Sequence, residues 1–234
     1  MFVLGIEAAT PVAAVAVVRG EKVLAERMVN NQRTHSVNLL PMIKAVMEDA
    51  GVTRQDLGGI AVSSGPGSFT GLRIGMATAK TLAQVWGLPI VGISTLEALA
   101  HPLTGQGGLI CPILNARRDE VYAAVYRTVA GKLERLEGPM AIRPEELARR
   151  LESRDLPVTL LGDGVPVYGE FFLKQLGGRV LLAPGSASWP RGAPVAELGY
   201  RRLVAGEGMD PLKLLPDYIR LSEAEVKWLQ KQKG

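Results

Sequence analysis

The chain has 234 residues, 47% of them hydrophobic and 21% charged, a balance that supports a packed core and excludes wholesale disorder. Its apolar stretches run to about ten residues before Gly, Pro or charge breaks them, short of the roughly 20 a bilayer span needs, so no membrane segment is expected. The single cysteine, Cys111, excludes an internal disulfide and points to a reducing, cytoplasmic setting; the net charge of +4 is scattered in arginine pairs and leaves only a weak general attraction to RNA.

The opening Met1-Phe2-Val3-Leu4-Gly5-Ile6-Glu7 meets an acid at once and lacks a basic leader, so it reads as a strand and not a signal peptide. Strands are expected at 2–7, 12–19 and 22–29, the last two joined by the tight turn Arg19-Gly20-Glu21-Lys22. A helix from Ser36 to Ala50 is closed by Gly51. Strand 59–63 then enters the loop SSGPGSFTGLRIG (63–75), which leads into a helix over 71–86 stopped by Gly87. A strand at 88–93 and the capping box Ser94-Thr95-Leu96-Glu97 follow. Further strands are expected at 109–114, 120–127, 133–137, 158–161 and 180–182, and helices at 144–151, 167–176 and 195–205, with 184–194 as loop. Strands followed by alternating helices and strands give an α/β protein of two lobes, 1–102 and 103–234, whose halves share one plan.

The strand–glycine loop–helix arrangement at 63–75 has the form of a phosphate cradle, with backbone amides and Ser64, Ser68 and Thr70 facing an anion at the helix start. The lysine of a P-loop is missing and Arg73 is the nearest cation; Glu7, at the end of the first strand, is placed where a magnesium ion could sit but by itself assigns none. The two histidines, His35 and His101, lie far apart, no paired-histidine metal motif occurs, and no Gly-x-Ser-x-Gly nucleophile turn is present. Cys111 sits inside an apolar strand, where a thiol is inert. No residue is assigned a catalytic or metal-binding role.

Helical projection of residues 37–50 spreads Leu39, Leu40, Met42, Ile43, Val46, Met47 and Ala50 over roughly 160°, where covering one sheet needs about 100°. Helix 71–86 is apolar apart from a narrow stripe at Arg73, Lys80 and Gln84, and Gly75, Ala79 and Ala83 recur at a spacing of four. The two helices are therefore expected to pair with another chain. Leu39, Leu40, Ile43, Met47, Met76, Ala79 and Ala83 form the centre of that contact, with His35, Arg73 and Lys80 beside them.

The loop 63–75 together with LGIEAATP closely resembles the TsaB (YeaZ) family, the dimerisation subunits of the bacterial complex that makes threonylcarbamoyladenosine in tRNA. RTHSVNLLPMI (33–43), GISTLEALA (92–100), NARRDEVYAAVY (115–126) and PDYIR (216–220) extend the resemblance over essentially the whole chain. The resemblance implies the actin-like ATPase (ASKHA) fold, two ribonuclease-H-like lobes with the second reduced, and a non-catalytic role. The implied partners are the catalytic threonylcarbamoyltransferase paralogue, the small ATPase subunit of the same complex and, through the complex, tRNA; alone, the chain would form a homodimer.

That paralogue holds its metal with an HxxxH pair; here His35 stands alone and Leu39 occupies the second position. The superfamily's usual Asp is replaced by Glu7. The phosphate-loop-like positions are Glu7, Thr10, Gly65, Gly67, Ser68 and Gly71, expected to bind ATP or ADP only weakly, so no cofactor is assigned. The older description of such relatives as glycoprotease-like metallopeptidases is the alternative reading.

Overall fold

The computed structural model describes residues 1–31 and 35–220, so Arg33, Thr34 and the tail lysines Lys227, Lys231 and Lys233 lie outside the described residues. Strands β1 (Phe2–Glu7), β2 (Ala13–Arg19), β3 (Lys22–Val29), β4 (Leu57–Gly65) and β5 (Ile90–Ser94) form a first sheet in the order β3-β2-β1-β4-β5. The β1–β2–β3 pairs are antiparallel, while β4 and β5 run parallel to β1. β1 and β2 are buried along nearly their whole length, as expected for strands covered on both faces.

One face of this sheet carries α1 (His35–Asp49) and α2 (Phe69–Trp86). Leu39, Ile43, Val46, Met76, Ala79 and Ala83 interlock there with Leu4, Ile6, Val15, Val17, Ile60 and Val62. Helix α2 begins where its chemistry requires, with Ser68 Oγ accepting from the Gly71 N–H at 3.3 Å, and ends at Gly87 in a left-handed turn with φ 67°.

The second sheet repeats the plan. Strands β6 (Leu109–Arg117), β7 (Glu120–Val129), β8 (Lys132–Ile142), β9 (Val158–Leu161) and β10 (Val180–Leu182) are ordered β10-β9-β6-β7-β8. The β6–β7–β8 pairs are antiparallel and β9 and β10 parallel, the same sense as in the first sheet. Helices α4 (Pro144–Glu152) and α5 (Val165–Leu176) cover it through Leu147, Leu151, Phe172 and Leu176. β9 and β10 are short, which is where this lobe is reduced. Helix α3 (Thr95–Ala100) joins the lobes through a cluster of Leu96, Leu99, Ile110, Leu114, Tyr126 and Leu161.

The division at residues 102/103 is not the division of the packing. Helix α6 (Gly192–Val204) follows the second sheet in sequence but lies on the back of the first, where Val195, Ala196 and Leu198 meet Val3, Val18, Ala61 and Val91. It starts three residues before the expected helix because Gly192 seats its backbone directly on β2: a Cβ there would come within 2.6 Å of the Val15 carbonyl carbon. The chain then runs along the edge of the first sheet, where Met209 and Ile90 exchange backbone hydrogen bonds of 3.0 and 3.1 Å. Among the described residues no helix is long and apolar enough to cross a membrane.

Candidate functional site

Between the lobes lies a cleft of about 640 Å³. The first lobe lines it with Thr10, His35 and residues 66–70, the second with Asn115–Arg118 and Asp163, and the C-terminal segment with Asp217–Arg220. The glycine-rich loop thus reaches the cleft, but its glycines face the protein. A Cβ on Gly67 would overlap the Ala9 carbonyl, and one on Gly71 the Ala8 carbonyl. Gly65 has φ +125°, and a Cβ there would sit 2.5 Å from the Asp217 carbonyl.

The hydrogen bonds agree. The Ser68 N–H donates to the Ala9 carbonyl at 2.6 Å, the Gly71 N–H to Ser68 Oγ, and the Asp217 N–H to the Ser64 carbonyl at 2.7 Å. Two amides that a phosphate cradle would aim at an anion are bonded within the protein. Ser68 and Thr70 remain exposed at the start of α2.

Glu7 does not line the cleft. It is 0% exposed at the end of β1, and its Oε1 accepts from the Ala9 N–H at 2.6 Å, while Oε2 has no partner among the described residues. Burial pushes its carboxyl up to about 7, opposed by hydrogen bonds from the Ala9 N–H and the Ser63 hydroxyl. The carboxyl is thus turned into the protein and not toward the cleft.

This burial has a pH signature. The folded carboxyl holds its proton between the ordinary value of 4.5 and about 7, while the unfolded one releases it. Stability must therefore fall as pH rises through that window, by about 3 kcal/mol from this group. Glu7→Gln should remove that part of the decline and make the protein more stable than the parent at pH 8. Urea titrations at pH 5 and pH 8 that show the same slope for both proteins would contradict it.

Thr10 is 3% exposed, and its carbonyl accepts from His35 Nε2–H at 2.8 Å, an assignment that follows because a carbonyl can only accept. His35 opens α1, and Leu39, one turn on, points into the core at 1% exposed. Among the described residues no three His, Cys, Asp or Glu side chains come together as metal ligands. Cys111 is fully buried, and desolvation, with a smaller contribution from Glu137, pushes its thiol up to about 12.

Sequence reading missed the second-lobe wall as a site. Arg117, Arg118 and Asp119 are consecutive left-handed residues, with φ of 61°, 53° and 58°. The turn is held by the Arg117 N–H donating to Asn115 Oδ1 at 2.9 Å and the Asn115 N–H to Asp163 Oδ1 at 2.8 Å. Burial raises the Asp163 carboxyl above its ordinary value, and the Asn115 N–H works against that. The signal was present as the string NARRDEVY, but nothing local tells which side of a turn a cleft will occupy.

The expected interface centre divides. Leu39, Ile43, Met76, Ala79 and Ala83 are at most 3% exposed and belong to the chain's own core, and Met47 packs against its margin. The surplus arc is filled except at Leu40, because α1 and α2 also pack on each other, so each covers a flank the sheet does not reach. Leu40, at 55%, and Val37, at 59%, are the large apolar side chains that α1 exposes. Arg73 and Lys80 are engaged by the C-terminal segment: Arg73 Nε donates to Tyr218 Oη at 3.2 Å, and Lys80 Nζ to the Leu212 and Leu214 carbonyls at 3.3 and 2.8 Å.

A family model described as "TsaD: tRNA N6-adenosine threonylcarbamoyltransferase" matches residues 22–228. The chain is 35% identical over 233 residues to "tRNA threonylcarbamoyladenosine biosynthesis protein TsaB" of Bacillus subtilis (strain 168), covering 100% of each. The solved structure "YeaZ from Pseudomonas aeruginosa" superposes with a TM-score of 0.80 at 26% identity, over 93% of this chain and 99% of that one. The ROK hexokinase from Thermus thermophilus shares the fold at a TM-score of 0.52 and 14% identity, over 88% of this chain and 100% of that one. The paired five-stranded sheets are those of the actin-like ATPase (ASKHA) fold, and the chain belongs to the TsaB (YeaZ) family of tRNA threonylcarbamoyladenosine biosynthesis proteins.

Proposed function

We propose that this chain acts in the cytoplasm as a non-catalytic subunit that binds and supports the threonylcarbamoyltransferase paralogue during threonylcarbamoyladenosine synthesis on tRNA. The observation that carries the reading is the full-length similarity to a protein named for that biosynthesis. It is supported by His35, which donates to the Thr10 carbonyl, and by Leu39, turned into the core where the resemblance puts the paralogue's second metal ligand. In this reading the loop at 63–75 orders the fold, and ATP binds the isolated chain no tighter than about 0.1 mM.

The docking surface assigned to the paralogue, or to a second copy when the paralogue is absent, is the outer face of α1 around Val37 and Leu40. Through that pairing the chain meets the small ATPase subunit and tRNA. The test is co-purification with the paralogue, followed by tRNA modification with and without this chain. Val37→Glu/Leu40→Glu should stay folded, bind the paralogue at least about thirtyfold more weakly, as for loss of an interface hot spot, and fail to support modification. Normal pairing by this variant would move the surface elsewhere; full modification without the chain would remove the role itself.

A further inference from the structure

The segment after α6 touches both lobes in an ordered sequence. It begins on the first, where Met209 pairs with Ile90 and Leu214, 5% exposed, enters the core opposite Gly92. Lys80 holds the Leu212 and Leu214 carbonyls, and the Asp217 N–H donates to Ser64. The Tyr218 ring then stacks on Phe69, with centroids 4.8 Å apart and planes at 30°, and the Arg73 guanidinium lies 3.9 Å from the Phe69 centroid. Two residues later the chain reaches the second lobe: Arg220 donates to the Ala116 carbonyl at 2.8 Å and pairs with Glu120 Oε2 at 2.6 Å.

We propose that residues 209–220 are an intramolecular clasp, laid down on the first lobe and fastened to the second by Arg220, whose release opens the cleft. The placement of the fastening argues for it. Ala116 and Glu120 bracket the left-handed turn at Arg117–Asp119, and the clasp residues themselves wall the cleft. The guanidinium engages two acceptors on adjoining strands, β6 and β7, a two-point contact that fixes orientation as well as distance. Both partners are about three-quarters covered, at 27% and 26% side-chain exposure, so solvent ions screen the pair less than an open surface bridge. The other side of the lobe junction is the apolar α3 cluster.

The test uses the full chain with spin labels on Lys44→Cys in α1 and Lys174→Cys in α5, leaving buried Cys111 in place. Pulsed dipolar distances and hydrogen exchange are measured for the parent, Arg220→Ala, Glu120→Gln and the pair combined. Arg220→Ala and Glu120→Gln should each populate a longer interlobe distance and speed amide exchange over residues 114–120 by roughly tenfold, the loss of a hydrogen bond to a charged group. The combined variant should do no more than Arg220→Ala alone, because both changes break one link. If Arg220→Ala fails to fold, Glu120→Gln, which keeps the side-chain shape, decides. Parent-like distances and exchange in the folded variants, or effects that add fully, would overturn the clasp.

Discussion

Gly5→Val should cost the protein about 3 kcal/mol or more, a large part of the stability of an ordinary domain. Gly5 lies in β1, the middle strand of the first sheet. A Cβ there would stand 2.5 Å from the Gly192 carbonyl oxygen and 2.7 Å from both the nitrogen and the Cβ of Ala196. Those atoms are the backbone and shortest side chain of α6, with no flexible end to move aside. The helix would have to lift from the sheet and uncover Val3, Val18, Ala61 and Val91 along with it. Urea denaturation followed by circular dichroism measures the loss; a cost below about 1 kcal/mol would mean that α6 is not seated on β1 as described.

Ala79→Glu should unfold the protein and should not yield a folded monomer. Ala79 is 0% exposed in the layer between α2 and the first sheet, so the new carboxylate has neither water nor a partner. Its burial costs several kcal/mol, and the longer side chain adds overpacking. Leu40→Glu, on the same helix pair but exposed, should stay within about 0.5 kcal/mol of the parent. Thermal melts and gel filtration of the two variants separate core from surface. A folded, monomeric Ala79→Glu would restore the small-residue stripe as a docking face.

These two variants also mark how far the sequence could be read. Elements set by local chemistry came out in place: the β1–β3 meander, the Gly87 stop and the Ser94 cap whose hydroxyl accepts from the Glu97 N–H. Each depends on residues a few positions apart, so the string alone specifies it. The glycine loop was located correctly, but the reason for its glycines was not legible, because Gly67 and Gly71 are small for carbonyls at Ala9 and Ala8, far away in sequence. The same limit explains the arc on α1. Periodicity measures how much surface a helix wants covered, but the identity of the cover, here α2 and the sheet, is a tertiary fact. The second-lobe wall at Asn115 and Asp163, and the partners of Tyr218 and Arg220, were hidden for that reason too.

The return of α6 to the first sheet bears on how the chain emerges from the ribosome. Strands β1 to β5 are complete by Ser94, and α1 and α2 are then available for one face, but the other face has no cover until Gly192–Val204 is made. At ordinary elongation rates that interval of about a hundred residues lasts roughly 5 to 20 seconds. During it, Val3, Val18, Ala61 and Val91 present an apolar surface to solvent. The first lobe is thus not an independent folding unit despite being synthesised first. Its nascent form is a natural client for a chaperone, and the second lobe is an insertion that translation must pass through before the first can close.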